Sequence, residues 1–267
     1  MTHWRLIDTG PLDAAANMAV DEALLACFDP ATSQPVLRLY GWSPPALSLG
    51  RYQDAATALD LPRCAADDVA VVRRMTGGGI IYHADELTYS IVCRPDQVGE
   101  GAGVKAGFRR LCGFLLGAYR KLGLNPSFAI DHNPEGAQLG VRTSFCFAGK
   151  EECDIVVQGR KLGGNAQRRA RGLILQHGSI PLQSRVPLGL TYVTDSSPGA
   201  ERAASLAELG VETEPDRLKT LLREAFEETL GVRLTPVSLS PQEADAVERL
   251  TREKYRATRW NIEGIDR

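Results

Sequence analysis

Apolar positions along this chain fall into two rhythms. Short alternating or continuously apolar runs predict strands, and apolar residues three and four apart predict helices. Strand-like runs occupy 4–8, 36–40, 46–50, 69–74 and 87–93. The second and third are joined across Gly41-Trp42-Ser43-Pro44-Pro45, a turn-rich linker, and 87–93 is expected to pair beside 69–74. Asp13 can cap a helix reaching about residue 28, with Met18, Ala19, Leu24 and Leu25 near one face and Asp21 and Glu22 on its solvated side. A short helix follows at about 61–66, and a longer apolar one at 103–122 that packs on the sheet. Residues 133–143 are polar and contain glycine, a loop of the kind that covers a site.

Segments 154–157 and 160–163 read as a hairpin about Gln158-Gly159. That register sets Lys161 opposite Val156 and on one face with Asp154. Segments 173–176 and 179–182 are apolar, with His177-Gly178 between them, and 184–199 reads as loop. Helices are expected at about 200–209, 214–230 and 240–255. The class is α+β, with mixed and antiparallel sheets flanked by helices. The chain is expected to form one catalytic domain over 1–267, with a core over about 1–199 and a helical C-terminal part over about 200–267.

Composition narrows the function classes only slightly. The 267 residues are 43% hydrophobic and 24% charged, ordinary for a soluble globular enzyme, and a formal net charge of −2 gives no reason to expect nucleic acid. Six cysteines show neither CxxC pairing nor zinc spacing with the four histidines, so no metal is expected. Several lie in apolar contexts such as TYSIVCR, where a reduced thiol acts as a small hydrophobe. No run reaches membrane-spanning length and no leader pattern opens the chain, so a cytoplasmic protein without a membrane partner is expected, with a monomer as the default.

The chemistry concentrates in two stretches. SFCFAGKEECDIVVQGRKLGGNAQRRARGLILQHGSI (144–180) holds Cys146, Lys161 and His177 around a glycine pair, and RRMTGGGIIYH (73–83) looks built to face it. Glycines let backbone approach a ligand closely. The first stretch supplies the candidate substrate-binding residues Gly163, Gly164, Asn165, Ala166 and His177. The second supplies Arg73, Arg74, Thr76, Gly77, Gly78, Gly79, Tyr82 and His83. The triple glycine is neither a Walker loop nor a dinucleotide fingerprint. Two permissive backbones beside a reactive pair suggest a slot for a slender, extended ligand such as an acyl chain. Cys146 needs a positive neighbour to act as a nucleophile, and Lys161 is the nearest candidate. The plainer alternative makes Cys146 a buried thiol and Lys161 an exposed partner of Asp154. No Ser-His-Asp grouping stands out, and Arg168, Arg169 and Arg171 with Gln167 form a basic patch on a slightly acidic chain.

These residues resemble the biotin/lipoate-ligase catalytic superfamily, and more narrowly the LipM-type octanoyltransferases. The matching pieces are RRMTGGGIIYHADELTYSIV, SFCF, QGRKLGGNAQRRARGLILQHGSI and KYRATRWN, with WRLIDTG, NMAVDEALL and YGWSPPALSLGRYQ toward the N-terminus. The resemblance implies a biotin/lipoate-ligase-like catalytic fold. It also implies transfer of an octanoyl group from acyl carrier protein to a lipoyl-domain lysine, on the glycine-cleavage H protein or a dehydrogenase E2 domain. Cys146 then corresponds to the family's nucleophile and Lys161 to its active-site lysine, with neither metal nor ATP required. Amidotransferases moving the acyl group between lipoyl domains, ATP-dependent lipoate ligases and non-catalytic binding modules are the alternatives within the superfamily. Two residues depart from the octanoyltransferase pattern. Gly79 makes the triple glycine more typical of lipoate ligases, and Asn165 stands where serine or isoleucine is expected, which implies a differently shaped slot.

Overall fold

The computed structural model describes residues 2–99, 103–132, 152–194 and 203–266. The chain opens with β1 (Thr2–Leu12), α1 (Ala14–Ala26), β2 (Val36–Trp42) and β3 (Ala46–Leu49), then α2 (Ala55–Ala58), α3 (Leu61–Ala66) and β4 (Ala70–Arg73). Next come β5 (Ile81–His83), β6 (Glu86–Cys93), α4 (Gly103–Lys121) and β7 (Ser127–Phe128). β8 (Ile155–Val157), β9 (Arg160–Leu162), β10 (Gly164–Ala170) and β11 (Leu173–Pro181) follow, then α5 (Val186–Leu190) and β12 (Ala203–Ala204). The last elements are α6 (Pro215–Leu230), β13 (Val232–Pro236), α7 (Pro241–Leu250) and α8 (Thr258–Asn261). This is the expected α+β class of mixed sheets flanked by helices.

Three sheets form among the described residues, in the orders β10-β11-β6-β2-β1-β13, β12-β9-β8-β7 and β4-β3-β5. In the largest, β1 runs parallel to β2 and β13, whereas β2, β6, β11 and β10 are antiparallel in succession. Its register puts Arg38, Ser90, His177 and Ala166 in one cross-strand row, and Leu39, Tyr89, Gly178 and Asn165 in the next. Successive residues of a strand point to opposite faces, so the two rows look in opposite directions. Helix α1 covers the first face: Asn17 and Asp21 meet Arg38 there. Helices α4 and α6 cover the second, where Phe114 meets Tyr89 and Phe226 edge to face, and Phe226 meets Trp4 in the same way.

Local signals set most boundaries. The Asp13 carboxylate accepts from the Ala16 N–H, as its capping position requires. Ser240 and Glu243 form a reciprocal capping box at the start of α7. Gly231 ends α6 in the left-handed conformation, at φ 68°. The β8–β9 hairpin has the expected register, Val156 opposite Lys161.

Several expectations are corrected, among them 184–199, read as loop, where the helix α5 forms. Strand β6 does not pair with β4; it lies between β2 and β11, while β4 pairs in parallel with β3. Asp21 and Glu22 are not on a solvated face. Asp21 is 2% exposed in a salt bridge with Arg38, and Glu22 pairs with Lys254 and Tyr255 of the C-terminal segment. Helix α1 buries residues around most of its circumference, because it is wedged between the sheet and α7, so no solvated stripe is left for them. The described part of 200–209 is the short strand β12 and a 3-10 turn at Ala207–Leu209 rather than a helix, since the backbone of Ala203 and Ala204 pairs with β9. Finally, β11 is continuous through His177-Gly178, and β13, which the pattern did not reveal, adds a strand within the helical C-terminal part.

Candidate active site

Where the α1 face of the large sheet approaches the end of β5 there is a cleft of about 350 Å³, its open mouth included. Met18, Trp42, Ile81 and His83 form its walls, and β10 and β11 contribute Gly164, Asn165, Ala166, His177 and Gly178. Its surface is mostly apolar. Six of the predicted site residues therefore meet here: Arg74, His83, Gly164, Asn165, Ala166 and His177.

His83 is fixed on three sides. Its ring stacks on Trp42 with centroids 3.8 Å apart, Nδ1 lies 2.7 Å from Glu86 Oε1, and Nε2 lies 2.6 Å from Ser48 Oγ. Glu86 also accepts from Thr88 and Ser179 hydroxyls, both at 2.6 Å. Burial alone would raise the Glu86 carboxyl; the adjacent His83 and these hydroxyls outweigh it and hold the group below the usual value. Ser48, His83 and Glu86 have the connectivity of a nucleophile–base–acid triad. Ser48, however, is fully buried, accepts from Arg74 at 2.7 Å and does not border the cleft, so this trio is a scaffold.

His177 is held as firmly. Nε2 lies 2.7 Å from Thr76 Oγ1 and Nδ1 lies 3.3 Å from Asp21 Oδ2. Burial, then nearby Arg74 and His83, push the His177 pKa down against the pull of Asp21, so the ring is neutral at pH 7. Its Nδ1–H donates to Asp21 and its Nε2 accepts the Thr76 hydroxyl. Asp21 Oδ1 in turn accepts from Arg38 and Ser90, each at 2.7 Å. Burial opposes ionisation of Asp21, but Arg38 and His177 outweigh it and keep the carboxyl below its usual value. Both nitrogens of both histidines are thus engaged by protein groups.

The glycine-rich loop after β4 is clamped from several directions. Arg74 donates to the carbonyls of Gly77 and Gly79, Arg168 donates to Met75 O, and Arg51 N–H donates to Thr76 O. Gly78 takes φ +99°, and its carbonyl approaches Gly50 so closely that a Cβ there would stand 1.9 Å away. Gly163 takes φ +81°, and its missing Cβ would fall 2.3 Å from Ser179 O. Gly50, Gly78 and Gly163 therefore each require glycine. Gly77 and Gly78 border a second, wider groove together with Phe108, Cys153, Asn165 and Arg169. Of the basic patch, Arg169 and Arg171 are exposed, whereas Arg168 is half-buried against the loop.

Thr76, Gly79 and Gly163 border neither space but belong to the loop and strand ends beside them, Arg73, Tyr82 and Lys161 lie elsewhere, and Cys146 lies outside the described residues. Arg73 is 1% exposed and gives its guanidinium to the carbonyls of Gly50, Arg51, Gln53, Trp260 and Ile262. It staples the C-terminal turn to the Gly50–Gln53 segment and borders neither the cleft nor the wider groove. Tyr82 points away from its neighbours Ile81 and His83, as strand alternation demands, and stacks on Tyr192. Lys161 is buried on β9 with Nζ 2.8 Å from Asp154 Oδ2, on the shared face the hairpin predicted, but it does not border the cleft. The plainer alternative of an exposed lysine is therefore wrong. Cys146 lies outside the described residues.

Sequence reasoning missed Trp42, Ser48, Glu86 and the Asp21–Arg38 pair. One signal was present for the last: Arg38 interrupts the apolar strand VLRLY, and a buried arginine needs an acid.

Comparison with known proteins places the chain in a family. The model of the lipoyl protein ligase A/B catalytic domain matches residues 13–227. Octanoyltransferase LipM of Kyrpidia tusciae is 38% identical, covering 98% of this chain and 99% of its own. Octanoyltransferase LipM of Bacillus subtilis is 35% identical, with 97% of each chain covered. The bi-partite lipoate protein ligase of Thermoplasma acidophilum shares the fold, with a TM-score of 0.82 at 21% identity over 100% of this chain and 99% of that one. This chain belongs to the lipoyl protein ligase A/B catalytic domain family.

Proposed function

We propose that the protein is an octanoyltransferase of protein lipoylation, an acyltransferase that moves an octanoyl group from acyl carrier protein to a lysine of a lipoyl domain. The observation that carries this reading is the end-to-end match at 38% identity to an octanoyltransferase LipM, with 99% of that relative covered. The mostly apolar cleft supports it, since a saturated chain gains about 0.8 kcal/mol for each buried methylene. The whole of 1–267 acts as one catalytic domain, and the protein works as a cytoplasmic monomer.

The Cys146 thiolate attacks the thioester carbonyl carbon, the carrier's C–S bond breaks, and the carrier leaves as its thiolate. The lipoyl-domain lysine amine then attacks the Cys146 thioester. The amide C–N bond forms, the C–S bond to Cys146 breaks, and the proton lost by the amine passes to a departing thiolate. Lys161 stabilises anionic sulfur and orients the carbonyl oxygen, and backbone N–H groups between Gly163 and Asn165 receive the developing oxyanion. The thioester is already activated, so the reaction needs neither ATP nor metal. The acceptors are the glycine-cleavage H protein and dehydrogenase E2 domains, and exposed Arg169 and Arg171 suit an acidic carrier.

The test is acyl-enzyme formation followed by intact mass. Wild type mixed with octanoyl-acyl carrier protein should gain one octanoyl group that hydroxylamine removes, and Cys146→Ser should not. A Cys146→Ser variant that still transfers would remove the covalent step. A Lys161→Ala variant that acylates at the wild-type rate would remove the lysine from the mechanism.

A further inference from the structure

A carrier-bound acyl thioester has two unlike ends. Its apolar tail needs an enclosed space, and its bulky carrier needs an open one. The carbonyl lies between them. Among the described residues, Asn165 and Ala166, on the edge strand β10, border both the narrower cleft and the wider groove, and of the two only Asn165 has a polar side chain, which leaves the strand on the α4 face.

The direction of the Asn165 amide is set by a one-way chain of hydrogen bonds on the α4 face of the sheet. Arginine carries donors only. Arg169 Nε donates to Gln167 Oε1 at 3.4 Å, so Gln167 turns its Nε2 to Gln176 Oε1, at 3.0 Å. Gln176 then offers Nε2 to Tyr89 OH at 3.2 Å and to Cys112 Sγ at 3.4 Å. With its oxygen accepting, Tyr89 sends its proton to Asn165 Oδ1, at 2.8 Å. Burial raises the Tyr89 pKa well above the usual value, so the phenol keeps that proton at every working pH. Asn165 Nδ2 is left with no acceptor among the described residues. Gly178 makes the arrangement possible, because a Cβ there would lie 2.2 Å from Asn165 Oδ1 and 2.6 Å from Tyr89 Cε1.

We infer that Asn165 Nδ2 donates to the carbonyl oxygen of the acyl group at the junction of cleft and groove, and that Tyr89 is the positioning residue that fixes the amide in this sense. The inference rests on the octanoyl-transfer reading. Asn165 exchanges no atoms with the substrate; its N–H holds the oxygen as negative charge develops and again as it disperses. A backbone-only site would leave the asparagine amide without a task, and serine or isoleucine would serve there equally well.

The experiment is single-turnover acylation by octanoyl-acyl carrier protein with wild type, Asn165→Asp and Tyr89→Phe, with thermal melting in parallel. The aspartate is isosteric and still accepts from Tyr89, but it presents an oxygen where the amide presented a donor. Its acylation rate constant at saturating donor should fall about 10²- to 10³-fold with little change in the donor's half-saturation concentration. Tyr89→Phe should lower the same rate constant by a smaller factor. A folded Asn165→Asp that acylates within twofold of wild type overturns the inference alone. If Asn165→Asp does not fold, Tyr89→Phe decides: a wild-type rate overturns the inference and a reduced one supports it. A wild type that takes no octanoyl group overturns the functional reading, and the inference with it.

Discussion

The two faces of the six-stranded sheet send polar networks of opposite character to the same cleft. On the α1 face the network is ionic: Arg38, fully buried, donates to Asp21, Asn17 and Thr9, and Asp21 passes the constraint through His177 to Thr76 in the glycine-rich loop. On the α4 face it is a neutral chain of two glutamines, a phenol and an asparagine, charged only at its exposed end, Arg169. A buried charge removed from its partner is left uncompensated, so breaking the ionic network costs stability first. A neutral amide bond contributes only modestly to stability, and what the second network fixes is direction. One face holds the loop in place; the other aims a donor.

Asp21→Ala is the most severe way to break this contrast. It strands Arg38 and should cost about 3–5 kcal/mol in urea unfolding, with much of the loss recovered in an Asp21→Ala/Arg38→Met double variant. A loss under about 1 kcal/mol would mean that the pair is dispensable.

Gly178→Ala attacks the neutral face by crowding. The added methyl collides with Asn165 Oδ1 and the Tyr89 ring, and the expected cost is about 1–3 kcal/mol together with a larger fractional loss of acylation. Unchanged acylation in a destabilised Gly178→Ala would show that the asparagine's position does not matter.

A pH series sharpens the comparison further. The folded-state pKa of His177 is depressed, so the unfolded chain binds more protons, and the histidine's contribution is complete above about pH 6.5 and lost as pH falls through the lowered value. Asp21 and Glu86 are also depressed, and their contributions persist down to about pH 4 before being lost below it. Stability should therefore begin to decline between pH 7 and 5 in wild type, and His177→Gln should flatten that decline. Gln167→Ala, on the neutral face, should leave the slope unchanged and cost no more than about 1 kcal/mol, the smallest effect of the set, while slowing acylation. An altered slope in Gln167→Ala would mean that the two networks are coupled.

What the sequence revealed of this arrangement follows from how local each feature is. The β8–β9 hairpin, with Lys161 opposite Val156, was readable because two turn residues fix its register, and the long helices α4 and α6 because their faces are amphipathic. The pairing of β6 with β11 and of β13 with β1 was not, since partner choice depends on how distant segments pack. Arg74, His83 and His177, singled out in the sequence, do converge on the cleft, yet Arg73 and Tyr82, one position from two of them, face the other way. Asp21 was placed on the surface because helix α1 gives no sign of being covered on several sides. Glu86 stands three residues after His83, but its role appears only when Ser179, far along the chain, donates to it.

The most direct test of the central claim is ATP-free transfer to an acceptor. Wild type, octanoyl-acyl carrier protein and an apo lipoyl domain are mixed, and the intact mass of the lipoyl domain is followed. The lipoyl domain should gain one octanoyl group stable to hydroxylamine, as an amide is, and an unmodified lipoyl domain, or labelling only from free acid with ATP, would contradict octanoyl transfer from the carrier.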